Sequence, residues 1–242
     1  MAIDGLYLQY LKHAVDRRRG AGGERLRGLL LAYPDLLVPH AGLAQVLGEA
    51  TLAGVAQRAD AAATWEYHGL RGVKEPMYDS LAVLERMGVD SVVVDAAKLR
   101  GMERIVDLNH PLPADLARSF DLVVDTGTCE HCFNVAQAFV NACEALAPGG
   151  MLVHAAPLTR INHGFWSFNP TIYPDFFGDN GFDLHMITGV TGNIVQGFTP
   201  FQVDTLARFE APPEAAVYVV AQRREVRPLK WPVQRKYRGM LK

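Results

Sequence analysis

The sequence predicts an α/β protein, a doubly wound and mainly parallel sheet with helices on both faces and an antiparallel edge toward the C-terminus. Three observations predict it. Phe120-Asp-Leu-Val-Val-Asp125 has the pattern of a buried strand whose end turns polar. An amphipathic run follows it, then the glycine stop Pro148-Gly149-Gly150 and a second apolar segment, Met151 to Pro157, which together read as a βαβ unit with a ligand-facing edge. Ser91 to Asp95 is a further β-branched run of the kind found in strands covered on both faces.

Taken in order, Ile3, Leu6, Tyr10, Leu11, Ala14 and Val15 recur near the helical period, which predicts a helix over residues 1–19 that packs on the domain edge. Gly20 to Gly23 breaks it. Leu26 to Leu31 predicts the first strand, with Leu36 to Val38 continuing it past the Tyr33-Pro34-Asp35 turn. Residues 41–88 have helical spacing with interruptions and predict two or three helices, an insertion between the first two strands of the sheet. Arg104 to Asp107 predicts a short strand, and Phe120 to Asp125 the next. Val135, Ala138, Phe139, Ala142, Cys143 and Leu146 share one helical face, with Asn134 as cap and Gln137 placed for a capping box. Residues 158–178 read as an aromatic loop, and Asp183 to Val190 and Ala215 to Gln222 as two closing strands that form the sheet edge.

Composition narrows the function classes. With 49% hydrophobic and 21% charged residues in 242, the chain is an ordinary globule organised as one domain, residues 1–242. A net charge of −2 speaks against a dedicated nucleic-acid binder. The tail from Arg223 to Lys242 is the local exception, with eight Lys or Arg against one Glu; it suits a solvated face, a subunit arm of a homodimer, or a contact with phosphate. No apolar run reaches the ~18 residues of a membrane span, and residues 1–20 carry no secretory apolar core, so the expected location is cytoplasmic with no membrane partner. Three cysteines form no disulfide framework. Cys129-Glu-His-Cys132 has knuckle spacing but lacks a second pair, so no metal is expected.

These segments resemble the class I S-adenosylmethionine-dependent methyltransferases over about residues 26–223. The resemblance rests on Phe120 to Asp125 with Glu130-His131, on Leu146-Ala-Pro-Gly-Gly150, and on Val94-Asp95 ahead of them. Tyr33 to Asp35, Val106 to Asn109 and Asn162 to Phe165 look like a branch acting in surface-polysaccharide or secondary-metabolite pathways. The implied fold is Rossmann-like, the implied cofactor S-adenosyl-L-methionine, and the implied reaction methyl transfer to oxygen or nitrogen of a small molecule such as a sugar or natural-product intermediate. By the same resemblance Asp95 meets the ribose hydroxyls, Asp107 and Leu108 the adenine, and Asp125, Thr126 and Gly127 the methionine portion. Asp95 reads equally as a helix cap and Asp107 as a turn former.

The chain departs from that pattern at the first turn, where an acid and a glycine-rich segment are usual and only Ala32 and Tyr33 are available to face the methionine portion. The long span from Asp35 to Asp95 makes residues 41–88 an insertion or cover, in which Trp65, Tyr67, His68, Met77 and Tyr78 are either core or lid. An oxygen or ammonium acceptor must lose a proton, which calls for a base, and histidine suits it. His163 is the preferred candidate because Asn162, Phe165, Trp166 and Phe168 surround it in sequence and could line an acceptor pocket; His131 is the second. The basic tail would suit a phosphorylated or nucleotide-linked acceptor. The alternative is a non-catalytic, methyltransferase-like subunit that binds a partner through the aromatic loop and tail.

Overall fold

Alternation along the strands decides how the sheet is covered. Leu30, Val93, Val124 and Val153 point to one face, while Leu29, Leu31, Val94, Val123 and Leu152 point to the other, so two separate cores form on one sheet. The computed structural model describes residues 2–20, 23–193 and 197–240. Ala21 and Gly22 of the expected glycine break, and the last two residues of the tail, lie outside them.

In chain order the elements are β1 (Ala2–Ile3), α1 (Gly5–Arg19), β2 (Leu26–Leu31), β3 (Asp35–Leu36), α2 (His40–Leu47), α3 (Glu49–Leu52), α4 (Ala61–Tyr67), α5 (Ser80–Arg86), β4 (Val89–Asp95), β5 (Arg104–Ile105), β6 (Phe120–Thr126), α6 (Val135–Glu144), β7 (Leu146–Pro157), α7 (Ile172–Asp179), β8 (Phe182–Asn193), β9 (Gly197–Phe201) and β10 (Ala216–Arg223). The large sheet has the order β5-β4-β2-β6-β7-β10-β8-β9. Its first five strands are parallel, and β10 runs antiparallel to both β7 and β8. This is the expected doubly wound architecture. From β2 the chain builds outward through β4 to β5, then returns to add β6 and β7 on the other side. The reversal lies between β2 and β6, where Leu31 pairs with Asp125. In open α/β sheets the carboxyl ends at such a reversal form the ligand crevice.

Helix α1 begins where Asp4 accepts the Leu6 and Tyr7 amides, both at 2.9 Å, and is itself held by the Tyr218 hydroxyl. Burial pushes the Asp4 carboxyl upward more than these donors lower it. The first core packs α1, α2 and α5 through Tyr7, Leu11, Leu43 and Leu84. The second packs α6 and α7, with Phe139 at its centre and the rings of Phe168, Tyr173, Phe176 and Phe177 between 5.2 and 6.0 Å away.

Several elements differ from the sequence reading. Leu36 does not continue β2: Asp35 and Leu36 pair with Ala2 and Ile3 in a separate two-stranded parallel sheet. The insertion holds four short helices rather than two or three. Tyr173 to Gly178 is helical, because Tyr173, Phe176 and Phe177 fall on one face against Phe139. The glycine stop is part of β7, which begins at Leu146, and an extra edge strand, β9, was not expected. Asn134 does accept the Gln137 amide, at 3.4 Å, but the capping box is incomplete: the Gln137 side chain turns to Asn141, and the Asn134 amide donates to Asn109 instead. The basic tail is largely neutralised by the fold. Arg223 is 1% exposed and donates to the carbonyls of Cys143 and Leu146 near the end of α6. Arg235 pairs with Asp175 and Arg238 with Asp179, both at 2.9 Å, and Arg224 with Asp183 at 3.1 Å. No helix among the described residues is long and apolar enough to cross a membrane.

Tyr7 fastens α1 to the sheet, its hydroxyl shared between the carbonyls of Val153 at 2.7 Å and Asp125 at 3.1 Å. Tyr7→Phe keeps the ring and removes that donor, so denaturant titration should show a loss of about 1–2 kcal/mol with an unchanged dependence on denaturant.

Candidate active site

Ala32, the first residue after β2, sits at φ +65, a left-handed conformation that costs a side chain roughly 1 kcal/mol and that glycine would take freely. Its amide donates to the Val94 carbonyl at 2.7 Å, which fixes the turn against β4. Tyr33 follows, buried, with the guanidinium of Arg100 4.4 Å and that of Arg58 5.7 Å from its ring centre. Its hydroxyl donates to Asp79 at 2.8 Å, and burial, together with that carboxylate, pushes the phenol up to about 12.

Asp35 lies beneath these cations. Arg58 binds it, Arg100 donates to it at 2.9 Å, and His68 Nε2 meets its second oxygen at 2.9 Å. Burial raises the Asp35 carboxyl, but its donors outweigh that and hold it below the ordinary range. Arg58 also grips Asp60 with two hydrogen bonds, at 2.8 and 2.6 Å, and lowers that carboxyl to about 2. The insertion is thus a cover whose polar side chains close over the first turn. Trp65, Met77 and Tyr78 are core residues there, whereas His68 faces a cavity and Tyr67 lies exposed at the rim.

Two cavities open along the strand ends. One, of about 480 Å³, is lined by Tyr33, Asp35, Asp60, Asp95, Arg100 and Glu103 among others. Asp95 caps a turn by accepting the Ala97 amide through Oδ1 at 3.1 Å, and no helix begins there. The other, of about 250 Å³, is lined by residues that include His68, Thr126, Gly127, Glu130, Arg160 and His163. His68 connects the two, lining the second while bonded to Asp35 in the first. Gly127, at φ +101, carries the backbone around the end of β6 in a conformation that disfavours a side chain.

The sequence-predicted residues are therefore distributed. Tyr33 and Asp95 face the first cavity; Thr126, Gly127 and His163 face the second. Asp125 lies underneath, fully buried. Its Oδ1 accepts the amides of Gly127 at 3.2 Å and Thr128 at 2.7 Å, and its Oδ2 meets His154 Nδ1 at 2.8 Å. Burial opposes ionisation, but these donors win and keep the carboxyl low. With Asp125 ionised, Nδ1 carries the donated proton, and Nε2 lies in hydrogen-bond contact with the Tyr173 hydroxyl at 3.0 Å. Asp107 is exposed and closes an Asx turn onto Asn109, and Leu108 packs in the second core. Neither lines either cavity.

The aromatic loop is divided: Trp166 and Phe168 share the lining of a third cavity, of about 340 Å³, which Asn162 and Phe165 do not line. Phe168 is core, in contact with His154 and Phe139. Phe165 and Trp166 lie on the surface around Phe133, and the Trp166 indole donates to the Phe133 carbonyl at 3.1 Å. Asn162 is exposed at φ +60. His131 stands beside His163, with ring centres 5.4 Å apart. Sequence reasoning missed Glu130, Arg58 and Arg100 as site residues, and had His68 only as one of several core or lid candidates. For Glu130 the signal was its position directly before His131, one turn after the β6 end; Arg58 and Arg100 carried no signal, because the pairs they form with Asp35 join distant segments.

No protein-family profile matches the chain, and no curated protein matches it. Solved structures similar to it include the N-methyltransferase NodS from Bradyrhizobium japonicum in complex with S-adenosylhomocysteine, at 12% identity over 90% of this chain and 88% of that one, with a TM-score of 0.45. Another is the 1,6-didemethyltoxoflavin N1-methyltransferase of Burkholderia thailandensis, at 11% identity over 90% and 79%, with a TM-score of 0.47.

Because Asp35 and Asp60 are held low, the stability they confer is present above their unfolded value, about 3.9, and is lost as pH falls through their folded values, that of Asp60 being about 2. Arg58→Met should cost about 2 kcal/mol at pH 6, less than for an isolated buried pair because Arg100 and His68 remain. Urea titrations should show that deficit shrinking steadily between pH 4 and pH 2, limits set by those values; a pH-independent deficit would mean that Arg58 acts by packing alone.

Proposed function

We propose that the chain is an enzyme that transfers the methyl group of S-adenosyl-L-methionine to oxygen or nitrogen of a small molecule. The observation that carries this reading is the pair of polar groups left available on either side of the β2/β6 reversal. Asp95 faces the larger cavity with Oδ1 engaged in its own turn, leaving Oδ2 for a ribose hydroxyl. Thr126 Oγ1, buried without a hydrogen-bond partner, stands at the wall of the smaller one beside the backbone of Gly127. A nucleoside with a charged amino-acid tail fits that division. Its ribose would lie toward Asp95, and its tail toward Ala32, Thr126 and Gly127, with Arg100 and His68 between.

When bound, the sulfonium supplies an activated methyl group. The chain's task is then to align the acceptor and exclude water, and orientation of this kind is worth on the order of 7–11 kcal/mol. A cavity of about 250 Å³ suits a small acceptor better than a polymer. His163 and His131, backed by Glu130, form the polar group that relieves the acceptor of its proton; such assistance is worth about 10²–10⁴ in rate. Acceptors in secondary metabolism or surface-polysaccharide synthesis fit this size. With most of the tail's arginines in ion pairs, recognition of an acceptor phosphate would fall to Arg160 at the cavity wall.

A second reading, a methyltransferase-like subunit without activity, draws on the first turn, where Tyr33, Arg58, Arg100 and His68 occupy the place of a glycine-rich loop. Phe133, Phe165 and Trp166 would then be its partner-binding surface.

Calorimetric titration with S-adenosylmethionine and S-adenosylhomocysteine separates the two. Heat of binding is expected with both nucleosides, and Asp95→Asn should weaken each about tenfold, the loss of one charge-assisted hydrogen bond of ~1.4 kcal/mol. Absence of heat in folded protein sinks the enzymatic reading. With an acceptor in hand, His163→Ala should lower kcat about 10²-fold while S-adenosylhomocysteine affinity stays the same; equal losses in both would place His163 in nucleoside binding.

A further inference from the structure

Glu130 is the unexplained group of the smaller cavity. It is fully buried, and neither carboxylate oxygen has a hydrogen-bond partner. A carboxylate removed from water without donors costs several kcal/mol, so its place is understandable when a cation shares it. Arg160 lines the same cavity but directs its Nε to the Glu214 carbonyl at 3.0 Å. The polar atom beside the carboxylate is His163 Nε2, 3.5 Å from Oε1.

The backbone is shaped around this side chain. A Cβ at Gly127 would stand 2.9 Å from Glu130 Oε1, and one at Gly164 would stand 2.9 Å from its Cγ. The Phe165 amide donates to the Glu130 carbonyl at 2.9 Å, which ties the loop carrying His163 to the turn carrying Glu130 and His131.

We propose that Glu130, His131 and His163 bind a divalent transition-metal ion at the wall of this cavity. One carboxylate oxygen and two imidazole nitrogens lie within 4.8 Å of one another. Ligands of a tetrahedral site with ~2.1 Å bonds stand about 3.4 Å apart, and the two exposed imidazoles are free to rotate into that spacing. Two nitrogens and one oxygen select Zn²⁺, Co²⁺, Fe²⁺ or Mn²⁺ over Mg²⁺ and Ca²⁺, which prefer oxygen alone. Three protein ligands leave the remaining positions to the cavity, where an oxygen or nitrogen of the acceptor would enter; with the ion bound, His131 and His163 would assist loss of the acceptor's proton through the ion, which acidifies the bound group so that the proton passes to water, rather than by taking it themselves. That last assignment rests on the proposed methyl transfer; binding of the ion does not. The neighbouring group of Asp125, Cys129 and His154 is a different case, being fully buried, with Asp125 and both imidazole nitrogens already engaged.

The test is titration of chelator-treated, metal-free protein with Co²⁺, followed by visible absorption, and with Zn²⁺, followed by calorimetry. The wild type should bind one equivalent at ~1 µM or tighter, and Zn²⁺ should raise its Tm. His131→Ala and His163→Ala remove exposed side chains without opening the core, and each should weaken binding by about 100-fold; Glu130→Gln should abolish it. Failure of folded wild type to bind one equivalent overturns the site, as does binding that survives unchanged in both histidine variants. No nucleoside is present in this experiment. Ion binding without nucleoside binding would keep the site and remove the proposed reaction, and the converse would remove the site alone.

Discussion

Asp125 is the interaction on which the arrangement of the crevice depends. A carboxylate with no exposure can remain ionised only if donors replace the water it has lost, and here the amides of Gly127 and Thr128, the Cys129 thiol and the His154 imidazole do so. Those same contacts set the course of the backbone after β6. Two consecutive amides drawn down to one oxygen force the chain to turn at Gly127, and the turn in turn presents Thr126 and Glu130 to the cavity. Through His154 and Tyr173 the network reaches α7, so the second core and the site share a buried polar link. Removing one partner would leave a buried charge uncompensated, which costs more than any single apolar contact nearby.

The end of β2 is organised on the opposite principle. Where the β6 turn is drawn tight by backbone amides, the β2 turn is filled from outside by side chains of the insertion and of the loop after β4. Arg58 and Arg100 flank Tyr33 and converge on Asp35, and His68 completes the set. A glycine-rich loop admits a ligand by offering bare backbone. This turn offers charge instead, with cations already positioned and partly neutralised. The carboxylate of an incoming amino-acid tail would compete with Asp35 for Arg100, the more exposed of the two arginines at 30% against 5%. Affinity at this end therefore depends on exchange of one ion pair for another, and such exchanges gain little net energy.

How much of this was legible in the sequence follows from the range of the interactions concerned. The parallel strands announced themselves because burial on both faces demands continuous apolar runs, as in Leu29 to Leu31 and Leu122 to Val124. At the antiparallel edge β10 was visible for the same reason. α7 was hidden by Pro174 and by aromatic crowding that resembles a loop, and its helical face became meaningful only against Phe139 from another segment. Strand-end positions gave the candidates Asp95, Asp107 and Asp125, but position does not tell which way a carboxylate turns. Asp95 opens to a cavity, Asp107 folds onto its own turn and Asp125 points beneath the sheet end. The Asp35 network was illegible because its members are 23, 33 and 65 residues from Asp35.

The two sides of the crevice also differ in how firmly they are held. Asp95, Thr126 and Gly127 belong to strands or adjoin them, in a sheet whose cores are packed on both faces, so their positions carry the stability of the whole fold. His163 belongs to a loop that the Phe165 amide fastens to the Glu130 carbonyl, with a further tie where the Phe168 amide meets the Pro157 carbonyl at 2.8 Å. Between those ties the side chains of Asn162, His163 and Phe165 are exposed. A site divided in this way keeps one ligand in fixed geometry and lets the other side adapt, which suits a constant nucleoside opposite a variable acceptor. An ion held by Glu130, His131 and His163 would bind loop and strand end together, converting the adaptable side into a rigid one only when the site is loaded. Loop and ion would then be thermodynamically coupled, because the ordering of His163 that the ion requires is the same ordering that the acceptor needs.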